Sequence, residues 1–247
     1  MTDRTRIVLI IGSAPDALRS QDWPRGDISD IVAINNAWRV RPDWDWLIHP
    51  EDFPPENMPA RIGRDQRIVT ARDYVPRQNE LGGFVYAGGT MAFTAGYWAL
   101  HALRPRVIAW IGCDMIYAPE GRTHFYGRGE ADPLRDDISL RSLEAKSARL
   151  MLIAAQHGPA CVNLSQRDSR LVFPRATPDR LRDIRAPAST ERAIALPLEA
   201  ENRLGYVVPS GRYWEEADRF DPGEIDRLEA LWLDAFSTAR NGAEAGA

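Results

Sequence analysis

Between Arg6 and Leu18 the chain reads Arg-Ile-Val-Leu-Ile-Ile-Gly-Ser-Ala-Pro-Asp-Ala-Leu, and this stretch narrows the choice of fold more than any other. Residues 7–11 are five consecutive apolar positions, four of them β-branched. Such an unbroken run fits a parallel strand covered on both faces, because a strand with one wet face would alternate. Gly12 and Ser13 then allow a close backbone approach. Pro15 suits the first turn of a helix, whose unpaired N–H groups and positive dipole end attract anions. A strand, a small-residue turn and a helix start at the head of the chain are what a doubly wound sheet places at its first crossover.

Further apolar runs follow at 31–34, 46–48, 68–70, 107–111 and 161–164, with longer segments between them. This rhythm predicts an α/β fold: a Rossmann-like doubly wound, mostly parallel sheet with helices on both faces and a C-terminal irregular and helical extension. Helices are expected over 89–104, 139–157 and 222–239. Ser139 is a candidate cap for the second, and His157-Gly158-Pro159 ends it. In the last, Ile225, Leu228, Leu231, Trp232 and Phe236 form one apolar stripe that should dock on the main domain. Residues 1–173 thus read as a nucleotide-binding domain, 174–221 as a proline-rich irregular extension or lid, 222–240 as a docked helix and 241–247 as a disordered tail.

Composition excludes several classes. No run approaches the roughly 20 apolar residues that a membrane span needs. The opening residues lead straight into the first strand, so no secretory signal and a cytoplasmic location are expected. Net charge is −4, and Lys146 is the only lysine among 31 basic residues, which are scattered among acids rather than gathered in a stripe. Nucleic acid is therefore not the expected partner. Homo-oligomerisation remains compatible with a chain of this kind. Cys113 and Cys161 lie within or beside apolar runs and are expected to be buried and reduced.

In an open parallel sheet, ligands bind beyond the carboxyl ends of the strands. The residues there are Gly12 with Ser13, Asn35 with Asn36, His49 with Glu51 and Asp52, and Gly112 with Asp114 and Tyr117. An asparagine amide can serve a ribose hydroxyl, a base edge or a phosphate, although it also makes turns unaided. The turn Gly88-Gly89-Thr90 precedes a small-residue helix and can present N–H groups and a hydroxyl to an anion. The polar loop 118–137 carries His124 and Tyr126, and His124 is a candidate acid or base. His101 and His157 read as packing or capping residues. Asp43-Trp44-Asp45 matches a metal-binding spacing but precedes its strand, at the edge opposite the proposed site, so surface solvation is expected. A tryptophan left exposed among Trp38, Trp44 and Trp214 would offer a face to a sugar, although burial is the expectation for each.

In their order along 6–173, these motifs resemble the bacterial sialyltransferases of glycosyltransferase family 42 and the related motility-accessory-factor and hydroxymethylpterin diphosphokinase-like group. The resemblance implies that Gly12, Ser13 and Pro15 form the donor-phosphate turn, that Asn35 contacts the nucleotide and that His49 stands where the family has a second asparagine. It places Gly88, Gly89 and Thr90 around the donor, Tyr117 near the leaving phosphate and His124 as the general base. The interval from His124 to Leu143-Glu144 is longer than in the family, and Tyr117 is displaced by one residue from the expected spacing. The implied activity is transfer of a sugar from a CMP-linked or similar nucleotide donor to the hydroxyl of a glycan or other acceptor, with no cofactor. The alternatives are a magnesium-dependent diphosphokinase-like phosphoryl transfer, in which Asp114, Glu51 or Asp52 would hold the metal, and a non-catalytic nucleotide-binding protein.

Overall fold

The computed structural model describes residues 5–116, 122–127, 136–185 and 190–244. Six strands among them form one all-parallel sheet: β1 (Ile7–Ile11), β2 (Asp30–Ile34), β3 (Trp46–Ile48), β4 (Arg67–Val69), β5 (Val107–Ile111) and β6 (Ala160–Asn163). Their spatial order is β4-β3-β2-β1-β5-β6. The chain therefore winds outward from β1 to β4, returns to the other side of β1 and winds outward again. Ile10 stands beside Val32 on one flank and Trp110 on the other. All five residues of β1 are buried, as are those of β2 and β5, which is why these strands read as continuous apolar runs.

The two faces of the sheet are covered differently. Val8, Ile10, Val32, Ile108 and Trp110 point toward a core shared with every α-helix among the described residues. These helices are α1 (Ala71–Glu80), α2 (Phe84–Ala87), α3 (Met91–Ala102), α4 (Leu143–His157), α5 (Glu191–Leu204) and α6 (Pro222–Glu244). Ile7, Leu9, Ile31, Val107 and Ala109 point the other way, onto Ala17, Ala37, Val40, Trp44 and Leu181. Ala17 and Ala37 belong to the 3-10 segments Pro15–Ser20 and Asn35–Arg39, so the helices named on this second face are 3-10 segments of six and five residues.

Helix boundaries follow local chemistry. Ser142, not Ser139, caps α4, accepting the Ala145 N–H at 3.1 Å, while Ser139 lies in the preceding 3-10 turn Ile138–Leu140. Gly158 ends α4 in the left-handed conformation, with φ 107°. Both α1 and α5 carry an internal proline, Pro76 and Pro197, which hides them from a reading of sequence alone. The segment 174–221 accordingly holds a 14-residue helix where irregular packing was expected. It is held down by buried polar contacts. Arg149 on α4 pairs with both carboxylate oxygens of Glu201 on α5, at 2.6 and 2.7 Å, donates to the Tyr97 hydroxyl on α3, and Trp232 on α6 donates to Glu201 at 2.8 Å. The stripe on α6 docks as expected, with Ile225, Leu228 and Trp232 buried, and the helix continues to Glu244, beyond the expected end at 239. Cys113 and Cys161 are both free and buried, as their surroundings predict. No helix among the described residues is long and apolar enough to cross a membrane.

Candidate functional site

The strand order reverses between β1 and β5, and an open parallel sheet leaves a crevice at such a point. Two glycines close its floor. The Gly12 N–H donates to the Ile111 carbonyl and the Ala14 N–H to the Gly112 carbonyl, each at 2.9 Å. A Cβ on Gly12 would collide with the Gly112 carbonyl oxygen, and one on Gly112 would lie 2.6 Å from the Ala17 Cβ. The glycines are thus required by the approach of two strand ends, and the same narrowness exposes backbone to the crevice above.

A cavity of about 200 Å³ occupies that crevice. Its walls come from five separate parts of the chain. Gly12, Ser13 and Ala14 follow β1, Asn35 follows β2, Gly112, Cys113 and Met115 follow β5, and Thr123, His124 and Tyr126 come from the loop beyond. Thr90, Met91 and Ala92 complete it with the first turn of α3. Thr90 caps that helix, its Oγ1 accepting the Phe93 N–H at 3.3 Å. The N–H groups of an opening turn have no acceptor within the helix, so those of Met91 and Ala92 add to the positive end of the α3 dipole.

Backbone strain concentrates here. Asn35 has φ 51° and Met115 φ 53°, both in the left-handed region that non-glycine residues rarely enter, and Gly112 has φ 70°. Asn35 is also the residue whose side chain is least satisfied at the cavity wall: its Oδ1 is buried with no hydrogen-bond partner among the described residues. A buried acceptor without a donor costs on the order of 1–3 kcal/mol.

His124 is buried at 8 % exposure, while Tyr126 is 41 % exposed and stacks on it with ring centroids 5.1 Å apart. The Thr123 hydroxyl lies 2.9 Å from His124 Nδ1. The Phe125 N–H donates to the Ser13 carbonyl at 2.9 Å, which ties this loop to the turn after β1. Burial pushes the Cys113 thiol pKa strongly up, so the sulfur at the cavity wall is a neutral thiol.

Other residues singled out from sequence lie elsewhere. Pro15 opens its 3-10 turn outside the cavity lining. Asn36 is buried beside Asn35 without reaching the cavity. Gly88, with φ 92°, makes the bend before α3 and abuts Phe93. The Gly89 N–H is taken by Ser139 Oγ at 3.0 Å, so this donor serves the fold. His49 approaches the Pro50 carbonyl at 2.8 Å through Nδ1 and packs on Phe53. Asp114 turns away to the loop after β6, where Ser165 donates to it at 2.9 Å; burial raises its pKa and the Ser165 and Ser169 hydroxyls oppose the rise. Glu51 contacts Arg212 at 3.4 Å on another rim. Asp45 accepts the Ile31 N–H at 2.7 Å and pairs with Arg25 at the amino end of β3, opposite the cavity. Tyr117 lies outside the described residues.

Met91, Ala92 and Met115 line the cavity but were not singled out from sequence. Met91 and Ala92 could have been, since they directly follow a helix-capping threonine. Met115 carries no such signal. A scan against protein-family models finds no match, and searches of curated proteins and of solved structures find none either.

Proposed function

We propose that the crevice between β1 and β5 binds the phosphate and reacting sugar of a nucleotide-linked donor, and that the protein transfers this sugar to an acceptor hydroxyl. The observation that carries the reading is the convergence on one cavity of Ser13, the strained Asn35, the opening turn of α3 and the buried His124. In this reaction the bond from the sugar's anomeric carbon to the phosphate oxygen breaks, and a bond from that carbon to the acceptor oxygen forms. The leaving phosphate gains negative charge, which the α3 N–H groups and dipole stabilise. An imidazole nitrogen of His124 takes the acceptor proton, with Thr123 and Tyr126 fixing the ring. Asn35 Oδ1 accepts from a donor N–H or hydroxyl. A magnesium-dependent phosphoryl transfer has less support, because Asp114 and Glu51 are drawn to different partners, Ser165 and Arg212.

Calorimetry and thermal shift with CMP, CDP, UDP and GTP test the binding step. A nucleotide present at 100 times its dissociation constant adds about 2.7 kcal/mol of apparent stability. If none of the four moves the transition, the reading fails at its first step. With a donor in hand, His124→Ala should lower turnover by about 10²- to 10⁴-fold while nucleotide binding persists. Unchanged turnover would remove the histidine from the mechanism.

A further inference from the structure

Beside the small cavity opens a much larger cleft, of about 1030 Å³, and Met91 lines both. One wall is a chain of aromatic rings. Tyr74 meets Phe84 edge-on at 6.3 Å, Phe84 stacks on Tyr213 at 6.2 Å, and Tyr213 meets Trp214 edge-on at 5.4 Å. Trp214 ends this chain at 60 % exposure, an amphipathic ring presented to solvent along the cleft. Thr94 of α3, 2 % exposed, adds a hydroxyl-bearing residue to the lining. Charge on the rim is biased among the described residues. Arg212 is held between Glu51 and Glu215, and the other charged residues of the described lining are Asp52, Asp136, Asp137 and Arg72.

We propose that this cleft binds a saccharide without acidic groups, neutral or amino-bearing, as the acceptor of the transfer proposed above, and that Trp214 is its stacking platform. A pyranose has an apolar face that suits an exposed indole and a rim of hydroxyls that carboxylates and a buried threonine can bind. The excess of carboxylates repels an acidic sugar and favours an ammonium group. The shared Met91 places the bound sugar next to the cavity in which the donor would react. The segment 210–215, within the C-terminal extension, supplies much of the wall, which gives the extension a role in building the second substrate site. The class of acceptor rests on the reading of the small cavity, but the binding itself does not.

The test is calorimetry on the full chain without nucleotide, using the disaccharide of glucosamine, cellobiose and digalacturonate, for the native protein and Trp214→Ala. The glucosamine disaccharide and cellobiose should bind, and digalacturonate should bind at least about tenfold more weakly. Trp214→Ala should weaken the first two by about tenfold with an unchanged melting temperature, since the ring is exposed. Digalacturonate binding as tightly as the others, indifference of all three to the substitution, or no binding at millimolar concentrations would each overturn the proposal. Saccharide binding in a protein that binds no nucleotide would uphold the cleft and discard only the transfer reaction.

Discussion

Gly12 and Gly112 end adjacent parallel strands with no room between them for a side chain: a Cβ on Gly12 would collide with the Gly112 carbonyl and lie 2.6 Å from Cys113 Sγ. This contact sets the floor of the crevice. Gly12→Ala should therefore push the two strand ends apart and destabilise the protein by about 1–3 kcal/mol, the usual cost of overpacking a closed site. Thermal and urea unfolding would measure it. A native midpoint for the variant would mean that the strand ends are free to separate.

Asn35 separates backbone strain from ligand contact. With φ 51°, it occupies a conformation that glycine adopts without penalty. Asn35→Gly should leave stability close to native while weakening nucleotide binding by about tenfold, the value of one hydrogen bond of roughly 1.4 kcal/mol. Asn35→Ala should lose binding and also stability, because alanine gains nothing in the left-handed region. Calorimetry paired with denaturant unfolding distinguishes the two, and equal binding by Asn35→Gly and the native chain would show that the amide serves the turn alone.

The Arg149–Glu201 pair holds the C-terminal extension to the main body from within. Burial opposes the charge of Arg149, but Glu201 and Tyr97 outweigh it and raise the arginine pKa, so the guanidinium stays charged. Glu201→Ala would leave that charge buried without its counter-ion and remove the acceptor of the Trp232 indole. A loss of about 3–5 kcal/mol is expected. Urea unfolding followed by tryptophan fluorescence would measure it, and a loss below 1 kcal/mol would show that water reaches the site.

Asp114 makes stability depend on pH. Its pKa in the folded chain is raised above the ordinary 3.8 by burial. The folded state therefore holds a proton that the unfolded state has already released, and stability falls as pH rises from about 4 through the folded pKa. Asp114→Asn removes this loss while keeping an acceptor for Ser165. Its stability relative to the native chain should increase with pH across that window and level off above it. Melting curves from pH 3 to 8 would reveal the trend, and a constant difference would place the carboxyl in water.

The strands were legible because burial on both faces leaves no choice of residue. Ile7–Ile11 and Val107–Ile111 appear in the structure with the limits their apolar runs predict, and Trp46–Ile48 is recovered despite its three residues. The helices α1 and α5 were hidden by Pro76 and Pro197, whose local cost is outweighed by contacts distant in sequence, such as Glu201 with Arg149. Of the residues singled out from sequence, Ser13, Asn35, Thr90 and His124 meet at one cavity. Asp114 occupies an equally favourable place in sequence but turns to Ser165, because a side-chain direction depends on which neighbour supplies a donor.

By itself the sequence determined a parallel α/β sheet and the ends of most strands, since each of these rests on local periodicity. Tertiary structure decided that all the described α-helices cover one face, that β1 and β5 are neighbours, and that 210–215 walls a cleft beside the small cavity. Those outcomes depend on contacts between segments as far apart as Glu51 and Arg212, 161 residues, and their free energy is gained only once the chain has closed those long loops.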